Sequence, residues 1–420
     1  MTPQRAREIA ASFDLRQLPA DFLANPYPVY AALRESAPIQ RMPDGSYFLT
    51  RYADLVAVYR DAATFSSDKQ AEFTPKYGAG AALLAHHTTS LVFNDPPRHT
   101  KVRKLIMGAL TRRAIEQMED GLVNLVDALL DKIAAQGGGD LIEDFASAIP
   151  IEVIGNLLNI PHAERAPLRA WSLAILGALE PTLSPEQQAR GNQAVSDFSA
   201  YLTTLIAQRR QHPGNPEHDV LTRLIQGESS DDPLTEPELL HNCIFILNAG
   251  HETTTNLIGN ALVALQEWPE QLHSMLLNLQ LLTHDNKGLE AYLTTCVDEF
   301  LRFEPSNQLG NRRTLRACQL GGTALPPGAL ITLCIAAANR DPAVFEQPDT
   351  LNLERPHNKH LAFGFGIHQC AGLSLARLEG RIAIGRFVQR FPKFQLTSPP
   401  VRGGRARFRG FLQAPFTCHL

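Results

Sequence analysis

One run constrains this chain more than any other stretch of its 420 residues: Phe363-Gly364-Phe365-Gly366-Ile367-His368-Gln369-Cys370-Ala371-Gly372. Glycines on both sides of a single cysteine permit tight turns and let the backbone approach a flat partner closely. The following segment, Leu373-Ser374-Leu375-Ala376-Arg377-Leu378-Glu379, reads as helix. Cys370 therefore sits just before a helix N-terminus, where the dipole favours a thiolate. Several backbone N–H groups of such a loop can point at the sulfur and tune it.

The other cysteines, at 243, 296, 318, 334 and 418, form no close pair and no zinc-type spacing. They read as small core or surface residues, and Cys370 reads as a lone thiolate ligand. Haem iron needs only one such protein ligand.

Hydrophobic residues make up 44% of the chain and charged residues 20%, as in a soluble globular protein with a sizeable core. The formal net charge of −4 gives no reason to propose nucleic acid. Residues 1–8 lack the apolar centre of a signal peptide, and no apolar run reaches roughly 18 residues. A cytoplasmic chain without a membrane anchor is expected. The Pro/Gly-rich stretch 211–217 is the best candidate boundary, but helical pattern resumes at once, so one domain over 1–420 is expected. No internal repeat is visible.

Residues 39–42 and 47–50 flank an Asp44-Gly45 turn and predict a hairpin, so a small β region covers about 38–50. Apolar spacing of the 3.6 type predicts helices over 27–35, 54–59, 101–110, 113–135, 151–158, 163–179, 185–211, 234–267 and 288–303. Short strands are expected over 314–320, 329–336 and 411–419. The fold class is thus mostly α with a minor antiparallel β region, the helical bulk lying at about 51–390.

Mid-way along the longest pattern stands Ala249-Gly250-His251-Glu252-Thr253-Thr254, poor helix formers for a helix centre. The Ala-Gly pair permits close approach of a ligand, the Thr253 hydroxyl can bond a carbonyl of its own helix, and Glu252 supplies a titratable group. Steps of three and four put Phe245, Asn248, Ala249, Glu252 and Thr253 on one face. An amide facing a pocket is costly without a partner, so Asn248 is expected to bond a substrate oxygen or nitrogen. Glu299 and Arg302 share a face of another helix by the same rule. His99 and Arg103 fall one turn apart.

Three of these patterns resemble those of the cytochrome P450 family. The cysteine run matches its haem loop, Phe-x-x-Gly-x-x-x-Cys-x-Gly. Ala249 to Thr254 is similar to its oxygen-activation motif, and Glu299-Phe300-Leu301-Arg302 to its Glu-x-x-Arg motif. The resemblance extends over nearly the whole chain. It implies a triangular helical prism with haem b between the long central helix and the helix after the cysteine loop. Cys370 would be the iron ligand, with Phe363, Gly364, Gly372, Ala249 and Gly250 against the haem. Thr253 and Glu252 would serve oxygen activation and proton delivery. Glu299 and Arg302 would be tied to Arg355. His99, Arg103, Arg312 and His368 would meet the propionates, with Arg313 an alternative to Arg312.

The implied activity is monooxygenation of a small to mid-sized, partly oxygenated molecule by hydroxylation or epoxidation. The candidate pocket segments are 77–91, 171–179, 305–310 and 408–411, with Asn307 and Leu412 beside Phe245 and Asn248. About fifty residues follow Cys370, too few for a fused reductase, so a separate ferredoxin or flavodoxin with its NAD(P)H reductase is expected. Lys101, Arg103, Lys104, Arg112 and Arg113 form a basic cluster suited to such an acidic donor. A monomer is expected. A peroxide-driven oxygenase and a non-catalytic haem-thiolate sensor remain as alternatives.

Overall fold

The computed structural model describes residues 2–217, 219–227 and 233–418. Its longest helix, Glu236–Glu267, begins where sequence chemistry says it should. The Thr235 hydroxyl accepts from the Glu238 N–H while the Glu238 carboxylate accepts from the Thr235 N–H at 2.8 Å. Two otherwise unpaired donors are thereby satisfied. A second capping box, Ser184 with Gln187, opens Pro185–Gln211.

The long helix is packed by Ala148–Leu157, Leu168–Gly177, Pro185–Gln211 and Leu373–Arg390. Gly250 and Gly259 explain how closely: a Cβ there would come within 2.4 Å of Ile154 and 2.5 Å of Ile142. Among the described residues no helix is long and apolar enough to cross a membrane.

The 39–50 hairpin forms, with Gly45 at φ +83°. Its second strand, Tyr47–Leu49, pairs in parallel with Leu330–Cys334, which pairs antiparallel with Leu309–Thr314 and through it with Phe65–Ser66. The β region is therefore a mixed sheet drawn from both ends of the chain. The helix expected over 113–135 is two, Arg112–Glu116 and Glu119–Gln136. Glu119 and Asp120 suit a fresh N-terminus there. The strand expected over 411–419 is also two. Phe411–Gln413 pairs with Val401–Arg402, and Pro415–Thr417 pairs with Gly138–Asp140 and Gln395–Leu396. Between them the Ala414 N–H donates to the Asp140 carboxylate at 2.9 Å, and His419 lies outside the described residues.

Asn286–Phe303 carries the densest polar cluster in the interior. The side chains of Glu299 and Arg302 are fully buried and paired through both carboxylate oxygens, at 2.7 and 2.8 Å. Arg355 Nε adds a third bond at 3.0 Å, and Asn352 N–H and Asn358 Nδ2 add two more. Arg302 also donates to the carbonyls of Asn339, Pro348 and Thr350. Removing one member of a buried ion cluster strands the others, at about 3–5 kcal/mol. Glu299→Ala is expected to lower thermal stability accordingly and to give little haem-loaded protein, read from the haem-to-protein absorbance ratio; a normal ratio would refute this.

Candidate functional site

The cysteine loop is shaped by its own backbone. Gly364 and Gly366 take φ +65° and +71°, and a Cβ on Gly366 would come within 2.4 Å of the Tyr59 carbonyl. Gly364 N–H donates to Leu361 O, Gln369 N–H to Gly366 O, and Cys370 N–H to Phe363 O. These donors are spent inside the loop. The Gly372 N–H is the one that reaches the sulfur, so the expectation of several such donors is corrected to one. Burial raises the Cys370 pKa, while that N–H and the charges of Arg103 and Arg377 lower it. Gly372 has a negative φ, and a Cβ there would meet no protein atom within 4 Å. Neither backbone strain nor protein packing requires a glycine at 372.

Beside the loop, the rings of His99 and His368 lie 4.2 Å apart. Neither nitrogen of His99 has a partner, nor does Nε2 of His368. Burial, with the charges of Arg312, His99, Arg103 and Lys69, pushes the His368 pKa down to about 2. Arg312 stacks over Tyr59 at 5.3 Å and donates to Asn311 O. Arg313, its neighbour on the strand, turns to Glu72 at 3.8 Å, as alternation along a strand requires. Among the described residues neither Arg103 nor Arg312 has a carboxylate within salt-bridge distance. Four donor side chains gathered without an anion are a costly arrangement for a protein alone.

Between Asn242 and Leu265 the long helix is buried except at Phe245, Ile246, Ala249, Gly250 and Thr253. This stripe is its uncovered face. The Thr253 hydroxyl donates to Ala249 O at 2.6 Å, and the Ser306 hydroxyl donates to Thr253 O at 2.7 Å. Asn248 lies off the stripe, buried, with both amide atoms unpaired. Glu252 is buried too, its Oε1 paired with Arg405 and its Oε2 without a partner. Burial drives its pKa up to about 7, Glu180 adding to the rise and Arg405 opposing it.

Glu252, His251 and Arg405 line a cavity of about 30 Å³ with Leu412 at its rim. That cavity shares Leu173, Gly403 and Arg405 with a second one of about 350 Å³, which Glu180 also lines. Leu412 is 43% exposed. Asn307 pairs through its backbone with Phe408, and its Oδ1 is unpaired.

Comparison with known proteins decides what this arrangement is. The Cytochrome P450 family model matches residues 172–405. The cytochrome P450 monooxygenase PikC of Streptomyces venezuelae is 36% identical over 92% of this chain and 89% of its own. The epothilone C/D epoxidase of Sorangium cellulosum is 33% identical over 97% and 96%. Among solved structures, P450BioI in complex with an acyl carrier protein ligated to hexadec-9Z-enoic acid superposes with a TM-score of 0.86, at 31% identity, covering 95% of this chain and all of that one. The chain belongs to the cytochrome P450 family.

It is a haem-thiolate monooxygenase, and haem b takes the Cys370 thiolate as its proximal ligand. The residues present fit the group. The unfilled space over Gly372, the unpaired nitrogens of His99 and His368, and the uncovered Ala249–Thr253 stripe suit a flat macrocycle bearing two carboxylates.

Sequence reasoning missed Arg405, Glu180 and Ser306 in this P450. The one available signal was the recurrence of arginine at 405, 407 and 409, which in an extended segment places three cations on one side. Replacing Arg405 by Met removes the charge that holds Glu252 down. The protonated-carboxyl infrared band of Glu252, absent from Glu252→Gln, is expected to persist to higher pH than the wild-type midpoint near 7; an unmoved midpoint would sink this account.

Proposed function

We propose that Thr253 and Glu252 are the catalytic pair of this P450 and that protons reach them through the Arg405 cavity. Bound haem supplies the activation of O₂ and the transfer of one oxygen atom, given two electrons. The carrying observation is the placement of Glu252. It lies beside the uncovered stripe, with one oxygen on Arg405, one oxygen free, and a pKa near neutrality. Such a group can take up and release a proton at working pH. The two cavities that meet at Arg405 give it a route toward Glu180 and the surface. The Thr253 hydroxyl, turned to Ala249 O and lying on the stripe, is one rotation from presenting its proton to the haem side.

His99, Arg103, Arg312 and His368 hold the propionates in this reading, with Arg312 preferred because Arg313 turns to Glu72. Phe363, Gly364, Ala249 and Gly250 contact the macrocycle. Electrons come from a ferredoxin or flavodoxin with its reductase. The donor docks on the cysteine side, where Lys104, Arg112 and Arg113 are exposed. All six cysteines are free thiols, in keeping with a reducing cytoplasm. The protein acts as a monomer and one domain.

The substrate is a mid-sized, partly oxygenated molecule. Phe245 meets its apolar part, and Asn248 and Asn307, with unpaired amide atoms, meet its polar groups. Relatives that epoxidise an epothilone or bind a carrier-linked acyl chain support that size.

Two measurements test the reading. With a ferredoxin, its reductase and a spin-shifting substrate, NADH consumption is expected to be coupled to an oxygenated product. NADH oxidation without product would point to a ligand carrier instead. Glu252→Gln is expected to slow product formation by about 10²-fold and to abolish a transition in rate near pH 7; a wild-type rate and profile would remove Glu252 from proton delivery.

A further inference from the structure

Lys76 and Arg407 are cations without an anion. Among the described residues neither has a carboxylate within salt-bridge distance. Lys76 Nζ donates to the Glu180 carbonyl at 2.7 Å, and its ammonium lies 5.3 Å from the Tyr77 ring centroid. Arg407 Nε donates to Leu179 O at 3.1 Å, Nη1 to Leu309 O at 2.9 Å, and Nη2 to Asn311 Oδ1. The nearby Glu180 carboxylate is spent on the backbone N–H groups of Ala406, Arg407 and Phe408. Glu72 is shared between Lys69 at 3.2 Å and Arg313 at 3.8 Å. Burial and the Arg407 charge lower the Lys76 pKa to about 8, so the two side chains already oppose each other.

Such a pair is unfavourable unless something negative joins it. The donor inventory says what kind of group fits. Arg407 has used three of about five N–H groups and Lys76 one of about three, leaving about four, which matches the acceptor capacity of one carboxylate. The cations also stand at one end of an apolar cage formed by Leu176, Leu179 and Phe408 with Phe73 and Phe93. Arg407 precedes Phe408 and bonds Leu179 O, while Lys76 follows Phe73 by one turn of Gln70–Tyr77. At the other end Phe408 pairs with Asn307, next to Ser306, whose hydroxyl holds Thr253 O. The line from the cations through the cage leads to the uncovered stripe.

We infer that the substrate of this site is an amphipathic carboxylic acid, its carboxylate bridging Lys76 and Arg407 and its apolar body lying in the Phe73, Phe93 and Phe408 cage toward Thr253. This rests on the oxygenase reading for its direction and specifies the substrate class. The carboxylate end is held away from the iron, so oxidation falls on the distal part of the chain.

The test is a calorimetric and optical titration of the ferric holoprotein with n-alkanoic acids from decanoic to hexadecanoic and with their methyl esters. At least one acid is expected to bind about 10- to 100-fold more tightly than its ester, the range set by hydrogen bonds to a charged group. Lys76→Gln is expected to reduce that preference and Lys76→Glu to abolish it, both with an unchanged reduced-CO thiolate spectrum as evidence of fold. Lys76 is the better probe because Arg407 also ties three loops together. An ester bound as tightly as its acid, a preference undiminished in Lys76→Glu, or no binding of any acid would overturn the inference. Binding is measured without an electron donor, so a bound acid that is never oxygenated would count against the oxygenase reading alone.

Discussion

The fully buried Glu299 carboxylate is the fixed point of this molecule. Five donors from one helix and the loop before the cysteine converge on it. From there a continuous bonded path reaches the metal ligand. Arg302 holds Asn339 O, Asn339 Oδ1 accepts from Leu361 N–H, Leu361 O from Gly364 N–H, and Phe363 O from Cys370 N–H. A buried ion cluster is seldom the cheapest way to stabilise a core, since apolar packing of equal volume often does better. What it supplies here is position: a charged group has few satisfactory arrangements in the interior, so the loop that presents the sulfur has few as well.

The long helix resolves a conflict between packing and access. A helix at the centre of a protein is ordinarily covered all round, and this one is, except for one stripe. Glycine and alanine on that stripe leave room, and Gly250 serves twice by admitting Ile154 on its packed flank. Glu252 is directed off the stripe to Arg405. Desolvation of the carboxylate and attraction to the guanidinium nearly cancel, leaving a pKa near 7. Either influence alone would make the group permanently neutral or permanently charged, and useless for moving protons in neutral solution.

Local chemistry was legible in the sequence where it was carried by neighbours along the chain. The cysteine loop, the Glu299 and Arg302 spacing, the capping box at Thr235 and the hairpin at Gly45 all lie within a few residues, so spacing and propensity suffice. Helix existence followed from periodicity, but the breaks at 117–118 and at Ala414 depend on partners elsewhere. Asp140, which draws the chain from one sheet to the next at Ala414, stands far away in sequence. The one-face argument for Asn248 and Glu252 treated steps of three and four as a single stripe. Side chains 100° apart diverge over two turns, and the structure puts both residues on the covered flank.

The C-terminal arginines show why the rest stayed hidden. Arg405, Arg407 and Arg409 alternate along one extended segment, yet each meets a different environment. Arg405 finds Glu252, Arg409 finds Glu304 at 2.8 Å, and Arg407 between them finds only carbonyls and an amide. Nothing in the spacing distinguishes the three, because the distinction belongs to the elements they cross. Two of the cations are neutralised by the protein's own carboxylates and one is not. The unneutralised one adjoins the apolar cage, so the charge balance of this segment closes only when the site is filled from outside.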